Sequence, residues 1–375
     1  MAKLTDVCDF QGGSQPPKEE WSFEEQDGYI RMLQIRDFTQ SERVTPEYIK
    51  ISGSTKTCEA DDILIARYGA SLGKILTGLA GAYNVAIMRT IPNETVLTKR
   101  YLYYYLKSPY FQTSILNVGS RAAQAGFNKE DLSKLDINCP SFEEQGNIVQ
   151  ILHKVEDVIE NRKSELDKLD ELIKARFVEM FGEQEINPFG FNKSTIGKCC
   201  TLKSGTSLPA DKENEGGNIP YVKVGDMNYP GNERYITTSS RYVTESTAGK
   251  GLFDVGSIIF PKRGGAIGTN KKRMTVVPIC ADLNVMGVSS NGSLMPEYLL
   301  AYFDMIDMGD LADGSSVPQI NNKNIAPLEI LVPPMDIQNK FAEFVQQVDK
   351  SKVAVQKSLD ETQMLFDSLM QEYFG

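Results

Sequence analysis

GFNKEDLSKLDINCPSFEEQ, Gly126 to Gln145, lies without a gap over QINNKNIAPLEILVPPMDIQ, Gln319 to Gln338. Asn128 and Asn321, Leu135 and Leu328, Ile137 and Ile330, Pro140 and Pro333, and Gln145 and Gln338 are identical pairs. Upstream, ILIARYGASLGKI (Ile63 to Ile75) lies over IIFPKRGGAIGTN (Ile258 to Asn270), matching Gly69 to Gly264 and Gly73 to Gly268. YIRMLQIRD (Tyr29 to Asp37) matches NIPYVKVGD (Asn218 to Asp226), Asn84-Val85 matches Asn284-Val285, and Tyr101-Leu102 matches Tyr298-Leu299. The order is the same in both halves and the offset drifts by a few residues, as loop insertions make it. The chain is an internal repeat of nearly half its length, which organises every other reading.

Each half carries short runs rich in Val, Ile and Tyr, such as MLQI before Arg36 and SIIF before Pro261, bounded by Gly, Pro and Asn as strands are. A short helix at Lys99 to Lys107 has its counterpart at Pro296 to Phe303. Each half then closes with a proline and a long stretch free of Gly and Pro except Gly146. In the first stretch Ile148, Leu152, Val155, Ile159, Arg162, Leu166, Leu169, Ile173, Arg176 and Met180 step by alternating four and three. Phe341, Val345, Val348, Lys352, Val355, Leu359, Thr362, Phe366, Leu369 and Tyr373 do the same in the second. That spacing predicts two coiled-coil helices of roughly 38 residues, about 57 Å each. Gly182 and Gly375 stand at the expected stop positions. A lone helix with one apolar stripe leaves the stripe wet, so the two are expected to pair, in parallel or antiparallel sense. Arg162, Arg176 and Lys352 interrupt the seam, and either select register or meet a carboxylate on the partner helix.

The whole chain has 375 residues, 41% of them hydrophobic, enough for ordinary buried cores in about two domains. That excludes disordered, collagen-like and disulfide-scaffold proteins. Six cysteines form no C-x-x-C pair and there is a single histidine, so zinc-ligand spacing cannot be assembled. Reduced thiols, no export signal and no apolar run approaching a membrane span read as a soluble, cytoplasmic protein.

A net charge of -10 advertises no polyanion partner globally, yet the two helical stretches hold most of that excess and leave the globular parts near neutral. The densest local cluster is Lys262, Arg263, Lys271, Lys272 and Arg273 around Gly264, Gly265 and Gly268. Its thinner counterpart is Arg67 and Lys74 around Gly69 and Gly73. Glycine admits close backbone approach, cations neutralise phosphates, and Arg, Asn and Gln read base edges. Any one such loop reads more simply as a turn with a solvated rim; recurrence in both halves points to DNA. A second candidate is the polar loop GSRAAQAGFN (Gly119 to Asn128), with Arg121, Gln124 and Asn128, matched by GSSVPQINN (Gly314 to Asn322), with Gln319, Asn321 and Asn322. It is equally open to a purely structural reading.

No catalytic constellation emerges. Gly69 to Lys74 has the wrong spacing for a phosphate loop and lacks its Ser/Thr. Asn187-Pro188-Phe189 lacks the second proline of adenine methyltransferases. His153 flanks the seam as a solvated helix residue, and Trp21 reads as packing.

The segments YIRMLQIRDF, ILIARYGASLGKI and GSRAAQAGFNKEDLSKLDINCPSFEEQGNIVQIL, in a domain-helix-domain-helix order over essentially the whole chain, resemble the specificity subunits of type I restriction-modification systems. The resemblance implies an α/β (α+β) fold with pseudo-two-fold symmetry. Target-recognition domains at 1–142 and 183–335 would alternate with long helices at 143–182 and 336–375, paired as an antiparallel coiled coil. It further implies that each domain reads one half of a split, asymmetric site on double-stranded DNA. On the same resemblance the helices would set the spacer and dock two modification subunits, which restriction subunits would join. S-adenosylmethionine, ATP and Mg are then expected on those partners, with no cofactor, metal or catalytic residue on this chain. The competing expectations are a coiled-coil scaffold that binds proteins and no DNA, and a stand-alone DNA-modifying enzyme.

Overall fold

The computed structural model describes residues 1–40, 44–119 and 126–375. It divides into two compact units, Met1–Arg162 with Lys357–Gly375, and Lys163–Gln356.

In the first unit a four-stranded sheet runs Cys8–Gly12, Ile87–Pro92, Leu64–Ala66, Ile75–Leu76. Beside it a second sheet runs Trp21–Ser22, Tyr48–Lys50, Tyr29–Leu33, Gly81–Tyr83, Thr57–Cys58. The pairing of Met32 with Ala82 and Leu33 with Tyr83 is parallel, whereas the neighbouring pairs are antiparallel. The other unit repeats this plan. Cys200–Ser204, Val285–Ser290, Ile258–Pro261 and Arg273–Thr275 form one sheet, edged by Tyr235–Ile236. Tyr242–Val243, Ile219–Val222, Ile279–Ala281 and Leu252–Phe253 form the other, again with one parallel pair, Tyr221 on Cys280.

The repeat extends to single hydrogen bonds. Asp37 and Asp226, both buried, each close a capping box on the backbone N–H three residues earlier, that of Gln34 and of Lys223. Gly13 and Gly205 are fixed by close approach: a Cβ on either would lie 2.1 Å from the carbonyl oxygen of Asn84 or Asp282. Gln145 and Gln338 are fully buried and make the same three bonds. Gln145 accepts from Thr98 N and donates to the carbonyls of Val96 and Pro140. Gln338 accepts from Met295 N and donates to those of Ser293 and Pro333. The sequence match fails at Asn84. Asn84 N donates to Leu33 O as Asp282 N does to Val222 O, so Asn84 corresponds to Asp282 and not to Asn284.

Two long helices, Phe142–Phe181 and Met335–Phe374, are each 40 residues. Ser141 and Glu144 start the first by reciprocal hydrogen bonds, and Gly182, at φ 70°, ends it. Leu152, Ile159, Ile173, Phe341, Val345, Val348, Val355, Leu359 and Phe366 are buried, and Ile148, Val155, Leu166, Leu169 and Leu369 half-buried. Within the second unit the helices pair antiparallel: Asp170 meets Lys352 and, further along, Phe181 meets Phe341 with ring centroids 5.4 Å apart. Arg176 does not cross the seam to a carboxylate; it pairs with Glu179 on its own helix and lies over the Phe344 ring.

Each short helix is held by an aromatic end of a long one. Phe181 packs edge-on to Tyr298 at 4.7 Å, and in the first unit Phe374 packs on Tyr101 at 5.1 Å and Tyr105 at 6.2 Å. The equivalent tyrosines Tyr105 and Tyr302 donate to the carbonyls of Asp136 and Glu329.

Candidate nucleic-acid interface

Both glycine turns leave a fully buried strand. In the first unit the strand Leu64–Ala66 delivers Arg67, whose N–H donates to Ala86 O, and Tyr68 then bridges Gly126 across from the end of the polar loop. In the second, Ile258–Pro261 delivers Lys262, whose N–H donates to Asn284 O, and Arg263 bridges Gln319. Gly126, from the end of the first polar segment, and Gln319, from the second, are thus tied to the glycine turns alike in both halves. Ile320 N to Lys262 O at 3.0 Å and Gly264 N to Pro318 O at 2.9 Å lock the second copy. The loop beyond is clasped on itself. Asp313 accepts from the Ser315 hydroxyl and from Gln319 N, and those hydrogen bonds hold its carboxyl below the usual range.

The candidate cations differ in how free they are. Arg263 is exposed and has no ion-pair or side-chain hydrogen-bond partner among the described residues. Lys74 is likewise exposed and unpaired among them. Lys262 is half-buried on Ser204 Oγ at 2.8 Å, and burial followed by the charge of Arg263 pushes its ammonium below the ordinary lysine value. Lys271 donates to Asn228 Oδ1. Arg67 donates over long, 3.4 Å, bonds to Phe127 O and stands 5.1 Å over the Tyr68 ring.

Other members of the candidate set are engaged by the fold itself. Lys272 is 5% exposed and donates to Ile306 O and Asn270 Oδ1, and burial lowers its ammonium. Arg273 spends its guanidinium on the carbonyls of Asn232, Lys272 and Met227, and burial lowers it too. Both therefore brace the turn from within, because a cation run read as a solvated rim can also satisfy buried carbonyls. Asn128 caps the short helix Lys129–Leu132 in a reciprocal box with Asp131, so its side chain is occupied, and at the start of Asn322–Ile325 the Asn324 side chain accepts from Asn321 N. Asn322 is exposed and Gln319 half-buried. Arg121 and Gln124 lie outside the described residues.

Tyr68 escaped the sequence reading. It is 40% exposed at the position equivalent to Arg263, and the signal was present, since Tyr68 stands directly over Arg263 in the repeat. Elsewhere, His153 is exposed and pairs with Asp157, and the Trp21 indole donates to Pro16 O beneath Lys18. Among the described residues no group of three or more His, Cys, Asp or Glu is placed to hold a metal ion, and no helix is long and apolar enough to cross a membrane.

The family model for the type I restriction modification DNA specificity domain matches residues 1–171 and again 188–362. The type I restriction enzyme MjaIX specificity subunit of Methanocaldococcus jannaschii is 24% identical over 408 aligned positions, covering 99% of this chain and 91% of its own. A chain solved in work on assembly and conformational transition of the type I R-M system aligns with a TM-score of 0.60 at 17% identity, over 100% of this chain and 96% of that one. The type I restriction-modification S subunit from M. genitalium aligns at 0.53 and 16%, over 100% and 95%. The last two speak to the fold, whereas the tandem family match falls on the two halves that the internal repeat defines. The chain belongs to the type I restriction-modification DNA specificity family.

Proposed function

We propose that the chain is the DNA sequence-recognition subunit of a type I restriction-modification complex, each half reading one part of a bipartite, asymmetric target on double-stranded DNA. One observation carries this reading: a glycine turn tied by a single bridge to a polar loop, Tyr68 on Gly126 and Arg263 on Gln319, is built twice on the same scaffold with different side chains. A shared frame with unlike side chains suits two related readers of unlike half-sites. Arg67, Lys74, Lys262, Arg263, Lys271, Gln319 and Asn322 are the proposed DNA-facing groups, with Lys272, Arg273, Asn128 and Asn321 supporting them.

The chain is the non-catalytic member of its complex. The chemistry, with S-adenosylmethionine, ATP and Mg, belongs to two modification subunits and to restriction subunits. The long helices dock the modification subunits and set the spacer, and the place of action is the cytoplasm. A scaffold that ignores DNA is disfavoured, since it gives no reason for the duplicated turn-and-loop surface.

The test is methylation mapping in a host carrying the complex. Adenine methylation at one bipartite motif is expected, and exchange of residues 1–142 for those of another family member should change one half of it. Methylation without a motif would reject the proposal.

A further inference from the structure

Resting on that reading, we propose that Tyr68 and Arg263 are the equivalent specificity-determining residues of the two halves, Arg263 reading a guanine and Tyr68 a different base pair by aromatic contact. The two occupy one position in the repeat. Each follows a residue whose N–H is bound by the neighbouring strand's approach, Arg67 on Ala86 O and Lys262 on Asn284 O. Each bridges the aligned residue of the polar loop.

Chemistry at this position separates base reading from phosphate binding. Phosphates are common to every sequence, so a phosphate contact is served by the same charge in both halves, whereas a base contact has to differ where the half-sites differ. Arg67 and Lys262, one residue earlier, keep a cation in both halves. The next position changes from an aromatic ring to a guanidinium.

The local build fits each side chain. Arg263 is exposed, has no side-chain partner among the described residues, and sits on backbone pinned on both flanks. A guanidinium carried on pinned backbone, with its donors free, matches the paired O6 and N7 acceptors of guanine in the major groove. Lys262, Lys271, Lys272 and Arg273 have partners and lack that freedom. Tyr68 is seated by its loop: a Cβ on Gly126 would fall 2.5 Å from the ring, so only glycine there lets the ring lie against the bridge. Opposite Arg263 the same place holds Gln319, a full side chain. The ring, steadied by the Arg67 guanidinium at 5.1 Å, stays 40% exposed for apolar contact with a base edge.

The experiment maps methylated adenines directed by the complete complex carrying wild-type chain, Arg263→Lys or Tyr68→Leu. Arg263→Lys keeps the charge and removes the fork. It should relax one base pair in one half of the motif, with roughly ten-fold or greater loss of discrimination for guanine there. Tyr68→Leu should alter one base pair in the other half and leave the first intact. An unchanged motif, changes falling in the same half, or loss of all methylation in Arg263→Lys overturns the assignment. If the wild-type chain itself directs no motif, the proposed function fails instead, and the two failures are told apart by that lane.

Discussion

Lys352 donates from Nζ to Asp170 Oδ1 at 2.7 Å, a seam lysine of the second long helix meeting a carboxylate of the first. Lys352 is 20% exposed and Asp170 45%, so solvent screens the pair and its worth is less than about 1 kcal/mol. Lys352→Leu is therefore expected to hold or slightly raise the urea midpoint. Lys352→Glu, which sets two carboxylates together, should lower stability by about 1 kcal/mol. A large drop in Lys352→Leu would show that the ion pair carries more than register.

The two buried glutamines give a matched pair of stability tests. Gln145→Leu orphans Thr98 N and two carbonyls, and Gln338→Leu orphans Met295 N and two others. Each should cost about 2–4 kcal/mol in urea unfolding, and by similar amounts, because the same groups lose partners.

Salt dependence sorts the cations. Replacing Lys74 by Gln should weaken duplex binding and reduce the slope of log affinity against log salt by up to about 0.9 for the phosphate left without its cation. Lys272→Gln should leave that slope alone and lower thermal stability, since its ammonium serves Ile306 O in the interior. A changed slope in Lys272→Gln would overturn its bracing role.

Burial pushes the thiols of Cys8 and Cys200 up to about 12 and those of Cys58 and Cys280 up to about 11, from an ordinary 9.0. The unfolded chain then releases these protons at lower pH than the folded chain. Stability from this source is complete below about pH 9 and is lost as pH rises toward the folded values. The urea midpoint should fall as pH rises from about 8.5 to about 10.5, and fall less in Cys8→Ala. In native protein at neutral pH a disulfide reagent should react first at Cys139, the half-buried thiol, the other five being buried.

The repeat was legible because its strongest stretch is made of structural necessities: Asn128 and Asn321 stand at helix N-caps, and Gln145 and Gln338 close identical buried hydrogen-bond sets. The long helices were legible from seam spacing alone. Identity misled at Asn84 because the loop needs only a side-chain oxygen for an N–H two residues on. Asp282 supplies it to Asn284 as Asn84 supplies it to Ala86, so Asp and Asn are interchangeable there. The charge cluster was half legible. Composition located it, yet nothing in a run of cations tells Arg263, which is free, from Lys272, which is buried, since that depends on where unpaired carbonyls fall in three dimensions.

The seating of Phe374 on Tyr101 and Tyr105 bears on how the chain is made. The first unit is finished only by residues Lys357–Gly375, which leave the ribosome after every residue of the second unit. The half synthesised earliest therefore waits longest to close its aromatic core. Arrested or prematurely terminated translation should release polypeptides whose second unit is complete while the first still shows proteases an open tyrosine cleft.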